Sequence, residues 1–312
     1  MKRPLLNVGR LPAPLLDRLR ASYDLVELPA PPDRAAFLAA QGDRFEAAVT
    51  SAGVGLDATL LAALPQLKVL SSFGVGLDRI DVGACHARGV AVGYTPDVLN
   101  DCVADTAFGL LIDVARGFSA ADRFVRRGDW LHKGFPLGRK VSGARLGLLG
   151  MGRIGQTIAK RSTGFDMAVR YHTRRPVDGL PWAHEPSLVE LARWCDMLVV
   201  VTAGGAGTRH LVDAEVLDAL GPQGFIVNVA RGSVIDEAAL VAALRERRIA
   251  GAGLDVFDNE PHVPPELMAM DQVVLLPHLG SATGQTRQAM SDRVADNLDH
   301  FFAHGTLVSA AT

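Results

Sequence analysis

The sequence predicts an α/β chain made of two doubly wound parallel-sheet domains. Short apolar runs alternate with amphipathic stretches in two separate series along the chain. A Pro/Asp break at Tyr94-Thr95-Pro96-Asp97 closes the first series. The length of 312 residues suits two domains of ordinary size better than one.

In the first series the strand-like runs are Leu5–Val8, Leu25–Leu28, Ala47–Thr50, Val69–Phe73 and Val90–Val92. Candidate helices lie between them at Ala13–Leu19, Arg34–Ala40, Asp57–Leu64 and Arg79–Arg88. Alternation of this kind implies parallel strands covered by helices on both faces. After the break comes a long helix-like segment, Cys102 to Val125, with little to stop a helix before Gly117. Its apolar residues are too many for one stripe, so burial on several sides is expected. Such a segment can link domains or pack against another subunit.

The second series begins at Arg145. Its strand-like runs are Leu146–Leu149, Met167–Tyr171, Met197–Val201, Phe225–Val229, Gly253–Val256 and Val273–Leu276. Ser187-Leu188-Val189-Glu190 fits a capping box that opens the helix before Trp194. Thr286 to Phe302 reads as one amphipathic helix.

Composition narrows the function classes. A formal net charge of −2 without a basic run gives no footprint for nucleic acid. The three cysteines, Cys85, Cys102 and Cys195, are widely spaced and set among apolar neighbours. They predict small buried residues, not a disulfide framework or a zinc site. No stretch approaches the ~18 apolar residues of a membrane span, and no apolar leader follows Met1-Lys2-Arg3-Pro4. A soluble, reducing, cytoplasmic setting is the expectation.

The strongest local motif is Gly150-Met151-Gly152-Arg153-Ile154-Gly155. It follows the apolar run Leu146-Gly147-Leu148-Leu149 and opens a helix from Ile154 to Arg161, which is the setting a dinucleotide site needs. Gly150 permits the sharp turn, Gly152 lets backbone approach a pyrophosphate, and Gly155 lets helix and strand sit close. The helix N-terminus offers N–H groups to the phosphates. About 20 residues on, an NAD site would carry an acid for the ribose 2′-hydroxyl. Here the chain reads Tyr171-His172-Thr173-Arg174-Arg175. A hydroxyl and two guanidinium groups suit a 2′-phosphate instead. NADPH is therefore the expected cofactor, with NADH possible. A solvated basic loop is the plainer reading of the same residues.

Three further stretches combine polar groups with tight turns: Asn228-Val229-Ala230-Arg231-Gly232, Asp255-Val256-Phe257-Asp258-Asn259-Glu260-Pro261 and Pro277-His278-Leu279-Gly280-Ser281-Ala282-Thr283. Each starts as an apolar strand runs out, where an open parallel sheet binds its ligands. Together they supply a cation, a carboxylate and an imidazole, the set that reduction of a 2-keto acid requires. The carbonyl oxygen gains negative charge as hydride arrives and needs a proton. A charged His278 can give it, and a carboxylate keeps the imidazole charged and oriented. Arg231 can bind the substrate carboxylate and polarise the carbonyl. Taken singly, each residue also suits a bland role: an ion pair for Arg231, a solvated acid for Glu260, a satisfied buried histidine for His278. No second His or Cys stands at ligand spacing around His278, so no metal is expected.

With those segments in view, the chain resembles the D-isomer-specific 2-hydroxyacid dehydrogenases over nearly its full length. The resemblance is carried by Phe73-Gly74-Val75-Gly76-Leu77-Asp78, Val103-Ala104-Asp105-Thr106, the Gly motif, Val229-Ala230-Arg231-Gly232, Gly253-Leu254-Asp255-Val256-Phe257, Asn259-Glu260-Pro261 and Pro277-His278-Leu279-Gly280-Ser281-Ala282-Thr283. It implies a flavodoxin-like substrate domain, residues 1–98 with 287–312, and a Rossmann dinucleotide-binding domain, residues 99–286. It implies Arg231 as substrate binder, His278 as acid/base and Glu260 as its partner. The backbone N–H groups of Val75 and Gly76 would hold the substrate carboxylate. Asp255 would lie near the nicotinamide carboxamide. Thr106, Thr202, Val229, Ala230, His278 and Gly280 would line the cofactor with Gly150, Met151, Gly152, Arg153, Ile154 and Gly155. A homodimer built on the Cys102–Val125 segment is also implied. Within the family the chain most resembles the hydroxypyruvate, glyoxylate and hydroxyphenylpyruvate reductases, whose NADP-type feature matches Thr173-Arg174-Arg175. One departure is Ala203-Gly204-Gly205-Ala206-Gly207 after Thr202, where many members carry proline. No regulatory domain is expected beyond Thr312.

The reading is NADPH-dependent reduction of a short 2-keto acid, with glyoxylate, hydroxypyruvate or an aryl pyruvate as substrate. Small residues at Ser51–Gly55 leave space for the larger of these. The alternative is a dinucleotide-sensing scaffold of corepressor type. Oxidation of a simple anion such as formate is a third reading, disfavoured by the missing acid after Tyr171.

Overall fold

The structure, a computed structural model, describes residues 2–312. Two compact units emerge, Met1–Leu99 with Ala282–Thr312, and Asn100–Ser281. Both are parallel α/β folds with a helix between most successive strands.

The first unit has strands β1 (Pro4–Asn7), β2 (Asp24–Glu27), β3 (Ala47–Ser51), β4 (Val69–Phe73) and β5 (Ala91–Gly93). Their order across the sheet is β2-β1-β3-β4-β5, and every pair is parallel. All of β4 is buried, including its two serines. That is what a central parallel strand covered on both faces requires. Helix Gly284–His304 lies over β4, and the Ser71 hydroxyl donates to the Val294 carbonyl at 3.1 Å. The same helix is fastened to helix Ala13–Ser22. Arg18 donates to Asp292 at 2.6 Å and Asp296 at 2.7 Å, and the neighbouring Tyr23 hydroxyl donates to Asp299 at 2.7 Å.

The second unit has β6 (Arg145–Leu149), β7 (Ala168–His172), β8 (Ala183–His184), β9 (Met197–Val200), β10 (Phe225–Asn228), β11 (Gly251–Leu254) and β12 (Val273–Leu275). The order is β12-β11-β10-β9-β6-β7-β8, again all parallel. Strand order reverses between β6 and β9, the switch point beyond which open α/β sheets bind ligands. Alternate residues feed two cores. Leu198, Val200 and Ile226 enter one, and Met197, Val199 and Val227 enter the other.

Three local expectations are corrected. The Cys102–Val125 segment is two helices, Asn100–Arg116 and Phe118–Arg126, divided at Gly117 with φ +66°. A left-handed residue cannot continue a right-handed helix, and glycine adopts that conformation without a Cβ clash. The capping box is only half formed. Ser187 accepts the Glu190 N–H at 3.3 Å, but its own N–H goes to Glu185 Oε1 at 3.3 Å while the Glu190 carboxylate pairs with Arg193. Cys102 is partly exposed, whereas Cys85 and Cys195 are buried. The two-residue strand β8 was not foreseen, because two residues show no periodicity.

Candidate active site

The glycine motif sits at the carboxyl end of β6 and opens helix Arg153–Ser162, with Gly152 as N-cap. Gly150 has φ +111°, and a Cβ there would come within 2.8 Å of the Thr202 nitrogen. The turn is thus tight against the chain leaving β9. A Cβ on Gly155 would lie 2.5 Å from the Gly150 carbonyl oxygen, so helix and strand meet as closely as backbone allows. Gly152 is the opposite case: a Cβ would find nothing within 4 Å. Open space, an uncapped helix N-terminus and N–H groups without helical acceptors are what a pyrophosphate needs. No side chain occupies the cap, so Met151, Gly152, Arg153 and Ile154 fit such a group.

The Gly150 N–H donates to the His172 carbonyl at 3.0 Å, which ties the motif to the end of β7. There the chain turns through Thr173, Arg174 and Arg175. Both arginines are exposed, and neither has an ion-pair or hydrogen-bond partner for its side chain among the described residues. The Thr173 hydroxyl donates to the Arg175 carbonyl at 2.6 Å, so it shapes the turn.

Beyond β10, β11 and β12 three loops converge. Asn228, the last residue of β10 and 1% exposed, folds the first loop. Its amide donates to the Arg231 carbonyl at 2.9 Å and its oxygen accepts the Ala230 N–H at 3.0 Å. That bracket sets Val229, Ala230 and Arg231. A Cβ on the next residue, Gly232, would collide with the Phe257 carbonyl carbon and the Asp258 nitrogen. Glycine here lets the Arg231 loop press against the loop that carries Glu260.

Glu260 and His278 meet directly, with Oε2 and Nδ1 2.8 Å apart. The other carboxylate oxygen, Oε1, accepts the Phe257 N–H at 3.1 Å. Burial pushes the Glu260 carboxyl up, but the hydrogen bond and charge of His278 outweigh it. The Phe257 N–H and the Arg231 charge add to them, and the group is held below its ordinary range. A carboxylate can only accept, so Nδ1 carries hydrogen and Nε2 is the nitrogen left for other chemistry.

His278 has φ +53°, a left-handed conformation that a residue with a Cβ adopts only when its surroundings impose it. Asp255 imposes it. The Asp255 carbonyl accepts the His278 N–H at 2.9 Å. Its carboxylate oxygens accept the Leu279 N–H at 2.7 Å and the Gly280 N–H at 2.9 Å. Asp255 is 2% exposed, and burial pushes its carboxyl up despite the two N–H donors. Its carboxylate oxygens are engaged by this loop, whatever else lies near. Thr106, on helix Asn100–Arg116, donates to the Cys102 carbonyl at 3.0 Å, and its hydroxyl lies 3.4 Å from the Gly280 carbonyl oxygen.

In the first unit the chain leaving β4 turns at Gly74, φ +136°, whose N–H donates to the Thr95 hydroxyl oxygen at 3.1 Å. The N–H groups of Val75 and Gly76 donate to no acceptor among the described residues. Successive free backbone N–H groups after a tight turn suit an anion.

A conserved-domain model for the D-isomer specific 2-hydroxyacid dehydrogenase NAD binding domain matches residues 108–280. A glyoxylate/hydroxypyruvate reductase of Arabidopsis thaliana is 42% identical over 295 residues, covering 95% of this chain and 94% of that protein. The chain belongs to the D-isomer specific 2-hydroxyacid dehydrogenases. It is therefore an oxidoreductase with a nicotinamide dinucleotide-binding domain. A hydroxyphenylpyruvate reductase of Plectranthus scutellarioides is 45% identical over 273 residues, 88% of this chain and 87% of that one. Among solved structures, an NADPH-dependent glyoxylate/hydroxypyruvate reductase of Sinorhizobium meliloti, in complex with NADP and malonate, superimposes with a TM-score of 0.93. It is 42% identical, with 100% of this chain and 97% of that chain covered.

Sequence reasoning singled out Arg231, Glu260 and His278; it did not assign Asn228 or Asp255 the loop-bracing bonds they make. Each is a polar residue at the end of an otherwise apolar strand run, and that was the available signal.

Proposed function

We propose that the chain reduces a short 2-keto acid, glyoxylate, hydroxypyruvate or an aryl pyruvate, to the D-2-hydroxy acid with NADPH. The observation that carries the reading is the His278–Glu260 pair at 2.8 Å with Arg231 on the adjoining loop. When bound, a reduced nicotinamide would supply the hydride that reaches the carbonyl carbon. His278 gives a proton from Nε2 to the carbonyl oxygen as negative charge builds there. Glu260 pairs with the imidazole and fixes its ring through Nδ1. Arg231 binds the keto acid through its guanidinium group and polarises the carbonyl. One keto acid and one proton are consumed for each hydride transferred. A substrate carboxylate is the anion proposed for the free N–H groups of Val75 and Gly76.

The cofactor part of the proposal rests on Arg174 and Arg175, two unpaired cations after β7, where an acid would repel a phosphate. Thr202, Val229, Ala230 and Gly280, on the loops beyond β9, β10 and β12, and Thr106, beside Gly280, are proposed to line the cofactor. The test is kcat/KM for NADPH and NADH with glyoxylate, hydroxypyruvate and hydroxyphenylpyruvate. Turnover of at least one acid, faster with NADPH, is expected. No turnover of any would overturn the proposal.

A homodimer is proposed as well, on a surface that takes in the end of the Cys102–Val125 segment and the residues after it. Helix Asn100–Arg116 spends its apolar residues inside its own unit, among them Phe108, Leu110 and Leu111. The exposed apolar side chains follow it: Phe118 at 51%, Val125 at 51%, Trp130 at 70%, Leu131 at 85% and Leu137 at 101% exposed. These five large exposed apolar side chains within residues 118–137 suit a surface that a second copy covers. Light scattering should give twice the mass of the 33.1 kDa chain, and a monomer mass would contradict the dimer.

A further inference from the structure

The strand pair β7–β8 is only two residues long, Arg170 facing Ala183 and Tyr171 facing His184. So short a strand adds little to the sheet. What it does is bring His184 to the end of β7. The His184 Nε2 lies 2.9 Å from the Thr173 carbonyl oxygen, and a carbonyl can only accept, so Nε2 is the donor. At the far end of the same turn the Tyr171 hydroxyl accepts the Val177 N–H at 2.9 Å and lies 3.4 Å from the Val177 carbonyl oxygen. The two rings adjoin, with centroids 5.2 Å apart. Tyr171 is 2% exposed. Two adjacent side chains thus grip residues 173 and 177, and Arg174 and Arg175 stand between those points. The Thr173 hydroxyl, bonded to the Arg175 carbonyl at 2.6 Å, tightens the turn from within.

We infer that Tyr171 and His184 are positioning residues for cofactor selection, pinning both ends of the 173–177 turn so that Arg174 and Arg175 stand ready for the 2′-phosphate. The inference rests on the NADPH reading above. Arginine side chains lose several rotatable bonds of freedom on binding, so a backbone already fixed leaves less to be ordered. Neither ring touches the phosphate. Both act through the turn, and a cofactor without the 2′-phosphate does not use it.

The experiment measures kcat/KM for NADPH and NADH with one keto acid in wild type, His184→Ala, His184→Gln and Tyr171→Phe. Glutamine places an amide donor near the position of Nε2. His184→Ala should lower the NADPH-to-NADH ratio by about five- to tenfold through a raised KM for NADPH, the effect of one backbone-fixing hydrogen bond. Its kcat with NADH should match wild type. His184→Gln should recover most of the ratio. Tyr171→Phe, which keeps the ring, should shift the ratio the same way and by less. A wild type that prefers NADPH with a ratio unchanged in His184→Ala and Tyr171→Phe overturns the inference alone. Equal damage to both cofactors, unrelieved by glutamine, also overturns it, since that marks a role in packing. A wild type that uses both cofactors equally overturns the NADPH reading and the inference with it.

Discussion

Beyond β10, β11 and β12 the loops are bound to one another by buried polar groups. Asn228 folds the Arg231 loop, Gly232 lets it press on the Glu260 loop, and Asp255 holds the backbone on either side of His278. Beyond β7 the ordering is reversed. The backbone of the turn is pinned, but the functional side chains, Arg174 and Arg175, stand in solvent with no partner among the described residues. The contrast follows from what each end is proposed to do. Proton transfer needs a donor held within hydrogen-bond reach of one atom, and a misplaced imidazole fails. A phosphate presents several equivalent oxygens, so two long cations can meet it from a range of directions. Cost decides the rest: an unpaired arginine is tolerable at the surface, whereas an unpaired carboxylate at the depth of Asp255 is not.

The comparison predicts unequal responses to substitution. The largest is expected at the rigid end. His278→Ala removes the proton donor and should lower kcat by roughly two orders of magnitude or more with either cofactor. Stopped-flow measurement of one turnover checks that the chemical step is the one slowed. A loss confined to one cofactor would break the assignment.

Glu260→Gln should have a smaller and differently shaped effect. The carboxylate is held below its ordinary range, so in the wild type it stays ionised until the pH falls beneath that range. The sign is then fixed. A depressed carboxyl contributes stability that is present above its unfolded value and lost as pH falls through the lowered one. In the variant the imidazolium has lost its counter-charge. An acidic limb in the reductive rate, set by protonation of Glu260 below the ordinary carboxylate range, should be present in the wild type and absent in the variant. An unchanged profile would count against the pairing.

The contrast also explains what could be read from the sequence. The two sheets, most of their strands and the glycine motif were legible because parallel α/β chains repeat one pattern and a motif between strand and helix has few other uses. Arg231, Glu260 and His278 were legible as chemistry-bearing residues at strand ends. Their supports were not. Asn228 and Asp255 owe their positions to backbone N–H groups, which every residue carries, so no residue type announced the partner. Asp255 was expected beside the cofactor, and its carboxylate is engaged by Leu279 and Gly280. The break at Gly117 turned on a single backbone angle, +66°. β8 was illegible because two residues carry no period, yet it sets His184 in place.

The most direct test is the cofactor ratio in wild type and in a chain carrying both Arg174→Ala and Arg175→Ala. kcat/KM is measured for NADPH and NADH with one keto acid. The wild type should prefer NADPH by about tenfold to several hundredfold, the worth of two charge-assisted contacts reduced by solvent exposure. The double variant should lose that preference through a raised KM for NADPH, with NADH turnover nearly unchanged because the His278 end is untouched. Equal use of the two cofactors by the wild type, or equal damage to both in the variant, would contradict it.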